Sequence, residues 1–260
     1  MTAEPTLRVL VAGARGGIGG ACAEALLQAG HQVVGVDRDA VPPGGANPVP
    51  PDRDVGSPTG AGAVQAVDVT RPGGAERAVE LAKTSLGGLD GIVHAVGMSG
   101  RRLGDGPVTR CSDEAWAEVM RVNLESAFRL LRAGLPALAQ GGSFVTVGSV
   151  LGQSADRDFL TAAYAASKGA LASLTRVAAM EMASRGVRVN LVAAGLVDTP
   201  MATRALGDER ITARLPELQP LGASAVTAAE VAAAVAWLLS PASARTTGAS
   251  LPVDGGWSLR

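Results

Sequence analysis

The sequence predicts an α/β protein: a doubly wound, mostly parallel sheet of about seven strands with helices on both faces. Three observations carry this. Short apolar runs such as "LRVLVAG" (7–13) and "GSFVTVGS" (142–149) alternate with longer helical stretches. No internal repeat interrupts that alternation. The residues able to do chemistry fall just after strands, where ligands bind in such sheets.

Taken in order, 7–13 reads as a buried strand, and "IGGACAEALLQAG" (18–30) as a helix closed by Gly30. "HQVVGVD" (31–37) is a second strand. Residues 41–62 are dense in Pro and Gly and read as a surface loop inserted in a connection. "AVQAVDV" (63–69) is a strand, 72–88 a helix, and "LDGIVHAVG" (89–97) a strand running into a turn. A long helix opens near Ser112, an N-cap followed by Asp113 and Glu114, and runs through "WAEVMRVNLESAFRLLRAGLPAL". Strand 142–149, helix 161–184 and strand 186–195 follow. Thr227 and Glu230 make a capping box for "AAEVAAAVAWLLS", and 249–256 is the last strand. Crossovers between parallel strands are right-handed.

Composition narrows the function. The formal net charge is −1 with scattered charges, so no basic face for nucleic acid and no polyionic partner is expected. No apolar run of about 18 residues is present, so no membrane span is expected, nor is a signal peptide. Cys22 and Cys111 are too few for a disulfide framework, and a reducing, cytoplasmic setting is expected.

"AGARGGIGG" (12–20) joins the first strand to the first helix. Gly13, Gly17 and Gly19 differ in spacing from the common dinucleotide fingerprint, but the task is the same. Glycines let the backbone turn tightly and approach a pyrophosphate at the helix N-terminus. Asp37 ends the second strand, where an acid accepts both ribose hydroxyls and repels a 2′-phosphate; this favours NAD over NADP. Arg15 and Arg38 lie close to it and either meet a 2′-phosphate or face solvent. Asp68, after the third strand, either touches the adenine or caps the helix at 72.

"YAASK" (164–168) holds the chain's one tyrosine, and Lys168 and Lys83 are the sole lysines. Positions i and i+4 share a helix face, so Tyr164 and Lys168 project side by side. A phenol titrates near ~10; a neighbouring ammonium lowers that value and makes the phenol a usable acid/base for an alcohol oxygen. Lysine also binds ribose hydroxyls. Ser149 ends a strand and offers a donor to a substrate oxygen. Asn123 is a polar amide among apolar helix neighbours, placed to hold a water that relays protons to Lys168.

These residues, with "HAVG" (94–97), "RVNLVAAG" (188–195), "VDTP" (197–200) and "VDGG" (253–256), fall in one order along nearly the whole chain. In this the sequence resembles a short-chain dehydrogenase/reductase of the single-domain branch. The resemblance implies residues 1–260 as one Rossmann-like NAD(P)-binding oxidoreductase domain. It implies hydride transfer between a nicotinamide and a carbinol carbon. Tyr164 is then acid/base, Lys168 its activator and ribose ligand, Ser149 the substrate-oxygen donor and Asn123 the relay. Cofactor contacts are implied at Gly13, Arg15, Gly17, Ile18, Gly19, Asp37, Arg38, Asp68, Val69, Ala95, Gly97, Tyr164, Lys168, Val197 and Thr199, and Asn190 matches a structural position. A homotetramer or homodimer is implied, and no metal.

Three departures from the family's usual pattern stand out. His94 and Ala95 stand where asparagines are usual, Ala12 where threonine is usual, and Ala194 where proline is usual. A structural role is expected for His94, ahead of a catalytic one. Residues 98–110, with Arg101 and Arg102, are either an anion contact or a solvated loop. Residues 150–160 are expected to line the substrate pocket, with Asp156, Arg157 and Phe159 as candidates beside Ser149 and Tyr164. Residues 199–223 resemble a mobile lid in which Met201 and Leu206 cover an apolar substrate. The expected enzyme is an NAD-dependent oxidoreductase acting on a secondary alcohol or ketone. The rivals are an NADPH-dependent ketoreductase of the 3-oxoacyl-thioester type and a nucleotide-binding regulator without turnover. The second needs no acid/base set.

Overall fold

A computed structural model describes residues 5–39 and 64–259. The Pro/Gly-rich stretch 41–62 lies outside the described residues. The elements follow the sequence order: β1 Arg8–Ala12, α1 Gly17–Gln28, β2 Gln32–Asp37, β3 Gln65–Ala66, α2 Gly74–Leu86 and β4 Gly91–His94. Then come α3 Asp113–Val119, a π-helical stretch Met120–Glu125, α4 Ser126–Gly134, β5 Ser143–Ser149, α5 Ala162–Met182 and β6 Arg188–Ala194. Short helices α6 Thr203–Leu206, α7 Glu209–Ala213 and α8 Leu215–Leu218 precede α9 Ala228–Leu239 and β7 Ser250–Val253.

The strands form one seven-stranded sheet in the order β3-β2-β1-β4-β5-β6-β7. Every pairing is parallel. The order reverses between β1 and β4, which opens a crevice at their carboxyl ends. The alternation of side chains along each strand feeds two helical layers. From β1, Val9 and Val11 pack with Cys22 and Leu26 of α1 and Val235 and Leu238 of α9. Leu10 and Ala12 face the other layer, with Ala78 and Val79 of α2, Leu130 of α4 and Met182 of α5. Each such Leu or Val contributes roughly 1.5–3 kcal/mol by leaving water. Cys22 is buried as expected, and burial pushes its thiol up to about 12. Thr227 and Glu230 close the full capping box on α9.

Two expectations are corrected. Of the strand expected over 63–69, the described residues 64–69 pair as a strand only at Gln65 and Ala66, opposite Val36 and Asp37. It is an edge strand and β2 ends at Asp37, so the chain beyond has nothing to pair with; Val67 adds one bond to the Asp37 carbonyl. The long helix from Ser112 is not uniform. The Ser112 hydroxyl accepts from Ala115 N as predicted, but the middle widens into the π-helical stretch that carries Asn123. Such insertions recur at functional sites.

Candidate active site

The glycine turn sits at the crevice. A Cβ on Gly19 would lie 2.1 Å from the Gly13 carbonyl oxygen, so only glycine fits there. No side chain caps the N-terminus of α1, and its first turn holds no acid. The uncapped N–H groups are therefore free to meet an anion. That donor set fits the pyrophosphate of a dinucleotide.

At the end of β2 the Asp37 carboxylate accepts from Arg15 N at 3.1 Å and from Arg38 N at 2.8 Å. Both arginine side chains turn to Asp39, at 3.9 Å for Arg15 and 3.4 Å for Arg38. Asp68 does not cap α2, whose N-cap is Gly73. Its carboxylate instead accepts from the Thr70 N–H at 2.9 Å and hydroxyl at 2.6 Å and pairs with Arg71. Val69 is buried in the layer below.

A cavity of about 470 Å³ opens beside this crevice. It brings together Ile18, Ala95, Gly97, Ser149, Tyr164, Lys168, Val197 and Thr199, residues spread from α1 to the segment after β6. Tyr164 and Lys168 sit on one face of α5, with Lys168 Nζ 5.7 Å from the centre of the phenol ring. Nζ donates to the Val147 carbonyl at 3.0 Å. Burial pulls the Lys168 ammonium down to about 8. Burial raises the Tyr164 phenol above its ordinary value, against a hydrogen bond with Ser149 that lowers it. The net direction differs from the expected lowering. The cause is physical: burial disfavours the phenolate, and Lys168 spends a proton on a backbone carbonyl.

Asn123 is fully buried, and its amide is committed to protein partners. Nδ2 donates to Met98 O and Ser167 Oγ, both at 3.0 Å, and Oδ1 accepts from Met98 N at 2.8 Å. The side chain thus ties the turn after β4 to α5. Asn190 ties the approach to β7, donating to Thr246 O and accepting from Ala249 N.

His94 has the structural part expected of it. It is fully buried, and Nε2 lies 2.8 Å from the Ser126 hydroxyl, which donates to Val122 O. Ser126 therefore accepts from Nε2–H, and Nδ1 has no hydrogen-bond partner. Burial, then the charge of Lys168, pushes His94 down to about 3, so it stays neutral.

On the substrate side, Phe159 and Met201 line the cavity as expected. Arg157 does not: it is exposed and absent from the lining. Asp156 is engaged elsewhere, at 2.8 Å from Arg214. Arg214 also pairs with Asp158, and so fastens the 150–160 segment to the predicted lid. The residue before Arg157 is thus held by that pair, and its own side chain is left to solvent.

Two functional positions carry no signal in the sequence. A Cβ on Gly152 would lie 2.6 Å from the Lys168 carbonyl carbon, so this glycine lets the loop after Ser149 press on α5. Asp105 is buried, and its two oxygens accept from Ala163 N and Tyr164 N, each at 3.0 Å. A carboxylate on the first N–H groups of a helix is a charge-assisted cap. Asp105→Ala is expected to lower stability by about 1–2 kcal/mol, read as a shift of the urea midpoint at unchanged slope. An unchanged midpoint would show that α5 does not depend on this cap.

The sequence and the fold are similar to those of known proteins. The family model described as enoyl-(acyl carrier protein) reductase matches residues 12–258. The chain is 38% identical, over 95% of both sequences, to 3-oxoacyl-acyl-carrier-protein reductase FabG of Vibrio cholerae. It is 34% identical to galactitol 2-dehydrogenase (L-tagatose-forming) of Cereibacter sphaeroides, over 96% of this chain and 94% of that one. A short-chain type dehydrogenase/reductase from Mycobacterium ulcerans superposes with a TM-score of 0.84 at 28% identity, over 98% of this chain and 92% of that one. Among the described residues no helix is long and apolar enough to cross a membrane.

Proposed function

The chain belongs to the short-chain dehydrogenase/reductase family and is an oxidoreductase, and from that membership we propose the reaction and the residues that carry it. The reaction is reversible conversion of a secondary alcohol to its ketone, in one domain spanning 1–260. The observation that carries it is the convergence of Ser149, Tyr164 and Lys168 on one cavity beside an uncapped glycine turn.

A bound nicotinamide supplies or accepts the hydride at the carbinol carbon. Tyr164 gives a proton to the oxygen in reduction and takes it in oxidation. Ser149 donates a hydrogen bond to the same oxygen and holds it in line. Lys168 places a positive charge near the phenol and offers donors to a ribose. Asn123 acts one step back, holding Met98 and Ser167 so that α5 keeps its position under the turn. Ile18, Ala95, Gly97, Val197 and Thr199 are read as contacts of the cofactor's nicotinamide half, and Gly13, Gly17 and Gly19 as the pyrophosphate turn.

NAD is the preferred cofactor. Asp37 ends β2, where an acid is read as the ribose contact, and the positive charge of Arg15 and Arg38 is directed to Asp39. A carboxylate there opposes a phosphate. An NADPH-dependent 3-oxoacyl-thioester reductase is the second reading, favoured by the relative from Vibrio cholerae. A homotetramer or homodimer in the cytoplasm is the expected form; the exposed Phe128, Val177 and Met180 on α4 and α5 favour an assembly. Initial rates with NADH and NADPH on a ketone panel separate the two cofactors. NADH is expected to win by at least ~10-fold in kcat/KM. A preference for NADPH would overturn the role given to Asp37.

A further inference from the structure

Among the described residues, every charged side chain lining the active-site cavity is cationic: Arg101, Arg102, Lys168 and Arg204. No Asp or Glu lines it. Lys168 is buried at the base and bonded to Val147 O. The three arginines come from two segments far apart in the chain. Arg101 and Arg102 begin the short helical turn Arg101–Leu103 after β4, and Arg204 belongs to α6.

These arginines are not neutralised as others nearby are. Arg214 holds both Asp156 and Asp158. Arg101 makes one long bond, to the Asp158 carbonyl at 3.4 Å, and pairs with no carboxylate among the described residues. A guanidinium has five donors in a planar fork, so most of its capacity is unspent. Burial, then the charge of Arg204, holds the Arg101 guanidinium below its ordinary value, while Asp105 opposes both. Asp105 spends its own oxygens on α5. Two like charges thus face one half-desolvated space, an arrangement that an anion relieves.

We propose that Arg101 and Arg204 bind an anionic group, a carboxylate or a phosphate, at the end of the substrate remote from its reacting carbon. This rests on the oxidoreductase reaction given above and deepens it. Two forks from separate segments suit a group with several acceptor oxygens. Arg102, exposed as Arg204 is, adds attraction at the rim. The same cavity is also lined by the large apolar side chains of Leu151, Phe159, Met201 and Trp257. The substrate therefore has a keto or hydroxyl carbon, an apolar body and an anionic end.

Matched probes test this. 5-Oxohexanoate is set against its methyl ester, and acetoacetyl-coenzyme A against the neutral acetoacetyl N-acetylcysteamine thioester. The wild type is expected to favour the charged member of at least one pair by ~10-fold or more in kcat/KM. Arg101→Gln and Arg204→Gln are each expected to bring that ratio toward one, whereas Arg210→Gln, an exposed residue paired with Asp208, leaves it unchanged. The pair that responds identifies carboxylate or phosphate. Equilibrium dialysis of the same probes against the chain with NAD, which has no hydride to give a ketone, reads the preference without turnover. Arginine-dependent binding with no reduction would overturn the reaction and leave the anion site standing. A preference for the neutral members, or a ratio untouched in both variants, would overturn the anion site.

Discussion

Tyr164→Phe is expected to lower turnover by ~10²–10⁴-fold, the usual worth of a positioned acid/base. Cofactor affinity is expected to stay within about twofold, because the ring and its packing remain and one hydroxyl is lost. The prediction follows from position. Tyr164 is the chain's one tyrosine, its hydroxyl lies by Ser149, and its helix start is pinned by Asp105. In reduction the phenol must be protonated, and burial helps by raising it above the ordinary range. The tested quantities are single-turnover rate and NADH affinity by fluorescence. Turnover that survives the substitution would assign the proton to another group.

Lys168→Met is expected to lower kcat by roughly 10²-fold and to change the pH profile. Lys168 titrates at about 8 because it is buried. Below that pH it is an ammonium and stabilises the phenolate formed when Tyr164 gives up its proton. As pH rises through about 8 the ammonium loses its proton and that stabilisation goes. Ketone reduction in the wild type is therefore expected to be level below about 8 and to fall above it. In Lys168→Met the rate is low throughout and the break near 8 is absent. A break that persists in the variant would belong to another group.

Much of the site was legible because local rules place it. The four-residue spacing of Tyr164 and Lys168, the glycine turn and the strand ending at Ser149 need only helix and strand periods to be read. The rest depends on long-range contact. Asp105 caps a helix that begins 57 residues later in the chain, at Ala162. Gly152 is required by the approach of another backbone. The π-helical stretch at Met120–Glu125 leaves a helical pattern unbroken in sequence, so composition does not reveal it. Arg157 and Arg101 look alike as letters; the pairing of Arg214 with Asp156 and Asp158 leaves the first in solvent, while the second turns into the cavity. Asn123 was identified as buried chemistry, yet its amide is spent on positioning Met98 and Ser167.

The central claim is hydride transfer to a carbonyl carbon, with the proton supplied at Tyr164. Reduction of a ketone by NADH carrying two deuterium atoms at C4 tests it most directly. One deuterium is expected on the carbinol carbon of the product, with a slower wild-type single turnover than with unlabelled NADH and a label transfer slower by ~10²–10⁴-fold in Tyr164→Phe. A product alcohol free of deuterium, or equal label transfer by Tyr164→Phe, would contradict the account.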